Sequence, residues 1–259
     1  MVETSNRQLT ARSVLASTLL GSDPPELPVA HLVQLSSLFG INENRARVAL
    51  SRMVASGEAT TDGSGRYRLS GHLLDRQRRQ NASRTGRMRS WSGDWQVVVV
   101  TTTGSTAEVR NYRRNALTFA RLAELREGVW LRPDNLDPDN LDPDDLDTAL
   151  PPDLGLDVTR LSARPDRPEE LAGRLWDRAQ WAERARHLAD QLRACPPRDW
   201  TDLAPGFVLS ASVLRHFQAD PLLPPEFLAS DWPGPSLRDF YDDWDARYRR
   251  VLAEWTPSI

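Results

Sequence analysis

The side chains best suited to chemistry cluster in one short stretch, INENRARVALSRMVA, from Ile41 to Ala55. Asn42, Asn44 and Ser51 carry amide and hydroxyl groups that both donate and accept hydrogen bonds. Arg45, Arg47 and Arg52 carry guanidinium forks that suit phosphate oxygens and the acceptor edges of bases. At about 100° per residue, Asn44, Val48 and Ser51 fall on one side, flanked by the three arginines. Ala46, Ala49, Leu50 and Met53 fall on the other side, which can pack on a neighbouring helix. A small polar face flanked by arginine has the size and chemistry that fits a DNA major groove. Alone, the stretch reads more readily as an ordinary amphipathic helix with a solvated arginine face. Its neighbours change that reading.

Asn42 stands where a helix N-cap belongs, and Gly57 stops the helix soon after Ala55. Upstream, Leu9 to Leu20 has a helical period and ends at Gly21 and a Ser-Asp-Pro-Pro run. Pro28 can open a second helix, whose stripe of Val29, Leu32, Val33, Leu35, Leu38 and Phe39 closes at Gly40. Helix, short glycine turn, helix is the helix-turn-helix arrangement. Downstream, Glu58 to Thr61 and Arg66 to Leu69 are strand-like runs around Asp62-Gly63-Ser64-Gly65, a hairpin signal. Arg66 and Arg68 alternate with Tyr67 and Leu69, so both share one strand face. Together these predict a winged helix-turn-helix that meets double-stranded DNA through Asn42, Asn44, Arg45, Arg47, Val48, Ser51, Arg52, Arg66 and Arg68. The alternative is a winged-helix protein-interaction module without specific DNA binding.

Charge distribution favours the DNA reading. Residues 1–90 hold 13 Arg and 7 Asp/Glu, net +6, and residues 91–259 hold 20 Arg and 29 Asp/Glu, net −9. A basic third on an acidic body suggests that one domain faces a polyanion. Six of those arginines lie in residues 70–90, read either as an extra phosphate-contacting arm or as a solvated helix leading into a linker. Cys195 is the only cysteine, which excludes an intrachain disulfide and a cysteine metal cluster. No apolar run approaches the roughly 20 residues of a membrane span, and no signal pattern opens the chain, so a cytoplasmic location is expected. Phosphate-loop, dinucleotide and nucleophile-elbow motifs are absent. His31, His72, His187 and His216 form no ligand pair. The expectation is therefore no enzyme, no catalytic residue, no metal and no cofactor.

The remainder organises into two further regions. Gln96 to Thr103 is a β-branched run that reads as a buried strand, Val109 to Arg126 as a helix, and Gly128 to Leu136 and Gly155 to Ala163 as strands. Strand, helix and strand, then another short helix and strand, suggest a small split βαβ sandwich of ferredoxin-like type. Asp134-Asn135-Leu136-Asp137-Pro138 recurs as Asp139 to Pro143 and nearly again from Asp144. The repeat lacks the glycine and terminal Glu of a calcium loop, so it reads as a solvated acidic insertion. Glu169 to Ala194 reads as one long helix. Phe207 to Phe217 and Leu237 to Trp255 follow, with aromatic residues spaced for a core or a subunit interface rather than a ligand cage. The predicted fold is α+β: residues 1–75 a winged helix-turn-helix, 76–90 a basic linker, 91–168 a ferredoxin-like middle domain, and 169–259 a helical C-terminal domain.

With these regions in order, the chain resembles the PaaX family of repressors of phenylacetic-acid catabolism operons. The resemblance is carried by FGINENRARVALSRMVASG (39–57), the WSGDW and VVVV entry (91–100), GVWLRPDNL (128–136) and DPLLPPEFLASDWPG (220–234) with the LRDFYDDWDARY helix that follows. It departs after Gly57, where Glu-Ala stands in place of the family's bulky aromatic-apolar pair. The resemblance implies a homodimer on a palindromic operator, released by an aryl-CoA thioester such as phenylacetyl-CoA. It also implies a middle domain similar to a CRISPR-associated small nuclease fold, without implying nuclease activity. For the phosphates of a CoA effector, Arg113, Arg114 and Arg132 are the candidate contacts.

Overall fold

The computed structural model describes residues 9–101, 106–136 and 158–256. The acidic repeat from Asp137 onward lies outside the described residues. The chain divides into two compact units. One comprises Met1–Asn81, Leu192–Ser212 and Asp242–Ile259, the other Ala82–Gln191 and Val213–Tyr241. The architecture is mixed helix and sheet, with two small antiparallel sheets.

In the first unit, α1 (Ala11–Leu20), α2 (Val29–Ser37) and α3 (Glu43–Ala55) pack around Leu15, Leu19, Leu32, Leu50 and Met53, none measurably exposed. Burying each such side chain contributes about 1.5–3 kcal/mol. Strands β1 (Glu26–Pro28), β2 (Ala59–Thr61) and β3 (Arg66–Leu69) form a sheet in the order β1-β3-β2, closed by Leu69 on the helices. β1 was not foreseen, because three residues ending in proline carry no strand signal of their own. Its partner β3 supplies the pairing. Helix α4 (Gly71–Thr85) begins next, so most of the segment expected as a basic linker is helical. C-terminal residues also belong to this unit: Phe207 lies 5.0 Å from Phe39, and Gln34 Nε2 donates to the Trp255 carbonyl at 3.2 Å.

The second unit holds β4 (Trp95–Val100), α5 (Ala107–Phe119), β5 (Ala123–Arg126), β6 (Val129–Pro133) and β7 (Val158–Ala163), with sheet order β5-β6-β4-β7. Val98 and Trp130 face α5 through Ala116 and Leu117, while Trp95 and Leu131 face Ala172, Leu223 and Phe227 on the other side. Two expected helices are interrupted. The one foreseen over 109–126 stops at Phe119: Arg121 takes φ +60°, and residues 123–126 become β5. Leu122 and Leu125 suit either period, and the backbone partners offered by β6 decide for strand. The helix foreseen over 169–194 splits into α6 (Pro168–Leu175) and α7 (Arg178–Ala194). Trp176 is extended between them, its ring 6.2 Å from that of Trp95, and Asp177 Oδ1 accepts from Gln180 N at 2.9 Å to start the second helix.

Helices α8 (Leu203–Gln218) and α9 (Gly234–Trp255) complete the chain, and the helical segment after Pro168 contributes residues to both units. Two stretches far apart in sequence lock together in the second unit. Arg132 Nη2 donates to Asn135 Oδ1 at 2.9 Å, and Asn135 Nδ2 donates to the Leu222 carbonyl at 2.9 Å. Asp220 accepts from Leu222 N at 2.9 Å and from Arg238 Nη2 at 2.7 Å. Among the described residues no helix is long and apolar enough to cross a membrane.

Candidate nucleic-acid interface

Helix α3 owes its orientation to its own sequence. Leu38 to Asn42 forms the turn after α2, with Gly40 at φ +67° and Ile41 N donating to the Ser36 carbonyl at 3.2 Å. Ile41 is buried with Val14 and Ala46, which pins the start of the helix. Asn42 caps it, its Oδ1 accepting from Arg45 N at 2.9 Å. Ala46, Ala49, Leu50 and Met53 are buried against α1 and α2. Asn42, Asn44, Arg45, Arg47, Val48, Ser51 and Arg52 are all exposed, so the row singled out by spacing is one continuous surface. Val48 is 43 % exposed and suited to contact with a thymine methyl.

The hairpin between β2 and β3 is built by its tip. Asp62 accepts from Ser64 N at 2.8 Å and from Ser64 Oγ at 2.7 Å, and these bonds hold its carboxyl below the usual range. Gly63 and Gly65 take φ +78° and +88°, which L side chains rarely adopt. Glu58, the residue that departs from the family's pattern, is buried at the base of the hairpin. It accepts from Arg12 Nε at 2.8 Å, and that guanidinium keeps its carboxyl low. His72 Nε2 stands 3.6 Å from Glu58.

Two residues of this surface were missed from sequence. Glu26 on β1 lies opposite Arg68 and accepts from Arg66 Nε at 2.5 Å and Arg68 Nε at 2.7 Å. Those bonds lower the Glu26 carboxyl below its ordinary range. Glu43 accepts from Arg47 Nε at 2.7 Å. The i,i+4 spacing of Glu43 and Arg47 is a signal that was there to be read. The Glu26 contact crosses 40 residues and was not.

The effector candidates are not brought together as one cluster. Arg113 and Arg114 lie on α5, where Arg114 Nη2 pairs with Glu124 Oε2 at 2.9 Å and its guanidinium carbon lies 5.9 Å from the Trp130 ring centroid. Arg132 is 1 % exposed, within the lock to Asn135 and Leu222. Burial pushes its pKa down to about 9, with repulsion from Arg121 adding to the effect. His216 stacks on Trp181 at 4.3 Å, and Tyr241, Trp244 and Tyr248 are buried core residues. Among the described residues, no group of three His, Cys, Asp or Glu side chains is arranged to hold a metal ion.

Comparison with known proteins places this surface in context. The family model described as PaaX-like protein matches residues 10–73, which span α1 through the start of α4. No curated protein matches the chain. Among solved structures, the uncharacterized protein Rv0674 from Mycobacterium tuberculosis is similar at 41 % identity and a TM-score of 0.70, covering 94 % of this chain and 97 % of that one. The buried and exposed faces of α3, the hairpin behind it and these matches lead to one conclusion: the chain belongs to the PaaX-like family.

Proposed function

We propose that the chain is a DNA-binding transcriptional regulator, a repressor whose first unit is a winged helix-turn-helix. The observation that carries this reading is the exposed row Asn44, Val48 and Ser51 with Arg45, Arg47 and Arg52 on α3, beside a hairpin bearing Arg66 and Arg68. Family membership supports a role in transcription regulation. The order β5-β6-β4-β7, with α5 joining β4 to β5, supports a ferredoxin-like middle domain. That domain is a scaffold in this reading and not an enzyme.

Two copies set their α3 helices in successive major grooves, about 34–36 Å apart for adjacent half-sites. Asn44, Val48 and Ser51 meet base edges, and the arginines hold phosphates or reach bases. Repression follows from promoter occlusion. An aryl-CoA thioester relieves it by binding the DNA-incompetent state more tightly, a coupling of about 1–3 kcal/mol. Arg113 and Arg114 are better placed than the buried Arg132 to meet its phosphates.

The test is binding of the purified protein to its own upstream DNA at two salt concentrations, with and without phenylacetyl-CoA. Specific, salt-sensitive binding that the thioester abolishes supports the whole reading. Specific binding that ignores the thioester keeps the regulator and removes the effector. Absence of specific, salt-sensitive binding by folded protein favours a protein-interaction module.

A further inference from the structure

Glu26 accepts hydrogen bonds from both arginines of the hairpin strand. Arg66 Nε reaches Oε1 at 2.5 Å, and Arg68 Nε reaches Oε2 at 2.7 Å with its Nη2 adding a third bond. A carboxylate held by two guanidinium groups has the same donors around it as a DNA phosphate oxygen pair would. The three groups together carry a net charge of +1, where the two arginines alone would present +2. Arg66 and Arg68 are 45 % and 65 % exposed while Glu26 is 16 % exposed, so the carboxylate sits beneath two solvent-facing cations. On α3, Glu43 holds Arg47 in the same manner at 2.7 Å. Exposed ion pairs of this kind are weak and readily exchanged.

We propose that Glu26 is an internal phosphate mimic that restrains the hairpin: DNA must displace or share it, so Glu26 lowers affinity for DNA of every sequence. The inference rests on the DNA-binding reading. β1 is the natural place for such a group, because the register puts Glu26 directly across from Arg68 and diagonal to Arg66 on one sheet face. Engagement of DNA then exchanges a fixed intramolecular partner for a mobile one. The contribution of the hairpin arginines is reduced on every sequence alike, while the base contacts of α3 are untouched.

The magnitude follows from charge. Releasing one net positive charge to neutralise one further phosphate steepens the dependence of log K on log salt by about 0.9, which at about 0.15 M salt is about fivefold in affinity. The experiment is fluorescence anisotropy with the full-length protein, its Glu26→Gln variant and the triple variant Glu26→Gln, Arg66→Gln, Arg68→Gln. Each is titrated with labelled upstream duplex and with a scrambled duplex of equal length, at several salt concentrations. The expected result is that Glu26→Gln binds the scrambled duplex about fivefold tighter with a steeper salt slope, and that the triple variant loses the gain. A variant that folds poorly binds more weakly, so tighter binding cannot come from misfolding. Unchanged or weaker binding by Glu26→Gln, or a gain that survives in the triple variant, overturns the proposal while leaving the DNA-binding reading intact. A wild-type protein that binds neither duplex even at low salt overturns that reading, and this inference with it.

Discussion

Replacing Arg47 by alanine separates what this side chain does for the fold from the DNA contact proposed for it. Among the described residues its one ion pair is with Glu43, four residues back on the same helix, and its side chain is 54 % exposed. An exposed i,i+4 pair is worth about 0.3–0.5 kcal/mol, so the thermal midpoint should fall by only about 1–2 °C. The proposed DNA contact predicts a larger loss on DNA. A guanidinium that reads a base edge is worth about 1–3 kcal/mol, roughly 5- to 150-fold per subunit, and a symmetric dimer makes the contact twice. In that reading Glu43, left without its partner, faces the phosphate backbone and adds repulsion. Anisotropy titrations at several salt concentrations separate the two modes of contact. If Arg47 holds a phosphate, the salt slope falls by about 1 per contact and all sequences weaken alike. If it reads a base, discrimination at one position relaxes and the slope stays. Wild-type affinity and slope from a folded Arg47→Ala protein would refute the assignment of this face to DNA.

Three further outcomes test the structure itself. Asn135→Leu removes an acceptor from the buried Arg132 guanidinium and a donor from the Leu222 carbonyl, and should cost about 2–4 kcal/mol in denaturant unfolding. Adding Arg132→Met should return part of that loss, because the orphaned charge goes with it. A midpoint for Asn135→Leu within 1 °C of wild type, about the error of the measurement, would show that the lock contributes little. Gly40→Ala meets nothing within 4 Å, so its cost is the φ of +67° alone, about 1 kcal/mol, and Gly40→Asn should cost less. Equal midpoints for the alanine and asparagine variants would contradict that account. Burial holds His216 near pKa 4, below its ordinary 6.5. Between those values the unfolded chain binds the proton first, so stability is lost as pH falls from about 6.5 toward 4. His216→Phe, which keeps a ring against Trp181, should flatten that part of the thermal-midpoint profile, and an unchanged profile would assign the acid sensitivity to other groups.

Much of the first unit was legible locally. Asn42, the alternation of buried Ala46, Ala49, Leu50 and Met53 with exposed Asn44, Val48 and Ser51, and the glycines of the hairpin tip each depend on neighbours within a few residues. The second unit was read less well. Leu122 and Leu125 fit a helix by spacing, and Trp176 sits in the middle of a sound helical period. Backbone pairing with β6 and the fit of the Trp176 ring against Trp95 overrode both. The effector arginines were grouped by charge alone, and charge does not say that Arg132 lies buried in a network with Leu222, 90 residues away.

The helix that presents a polar, arginine-flanked face is specified locally, because helical periodicity, capping and turn chemistry act over one to three turns. What the hairpin arginines meet is settled by long-range packing: Glu26 comes to Arg66 and Arg68 through strand pairing across some 40 residues. Such packing also decided that the residues after Pro168 serve two units rather than one. Both outcomes come from long-range pairing and packing, whose partners are chosen by burial and backbone hydrogen bonding and leave no periodic trace in the local sequence.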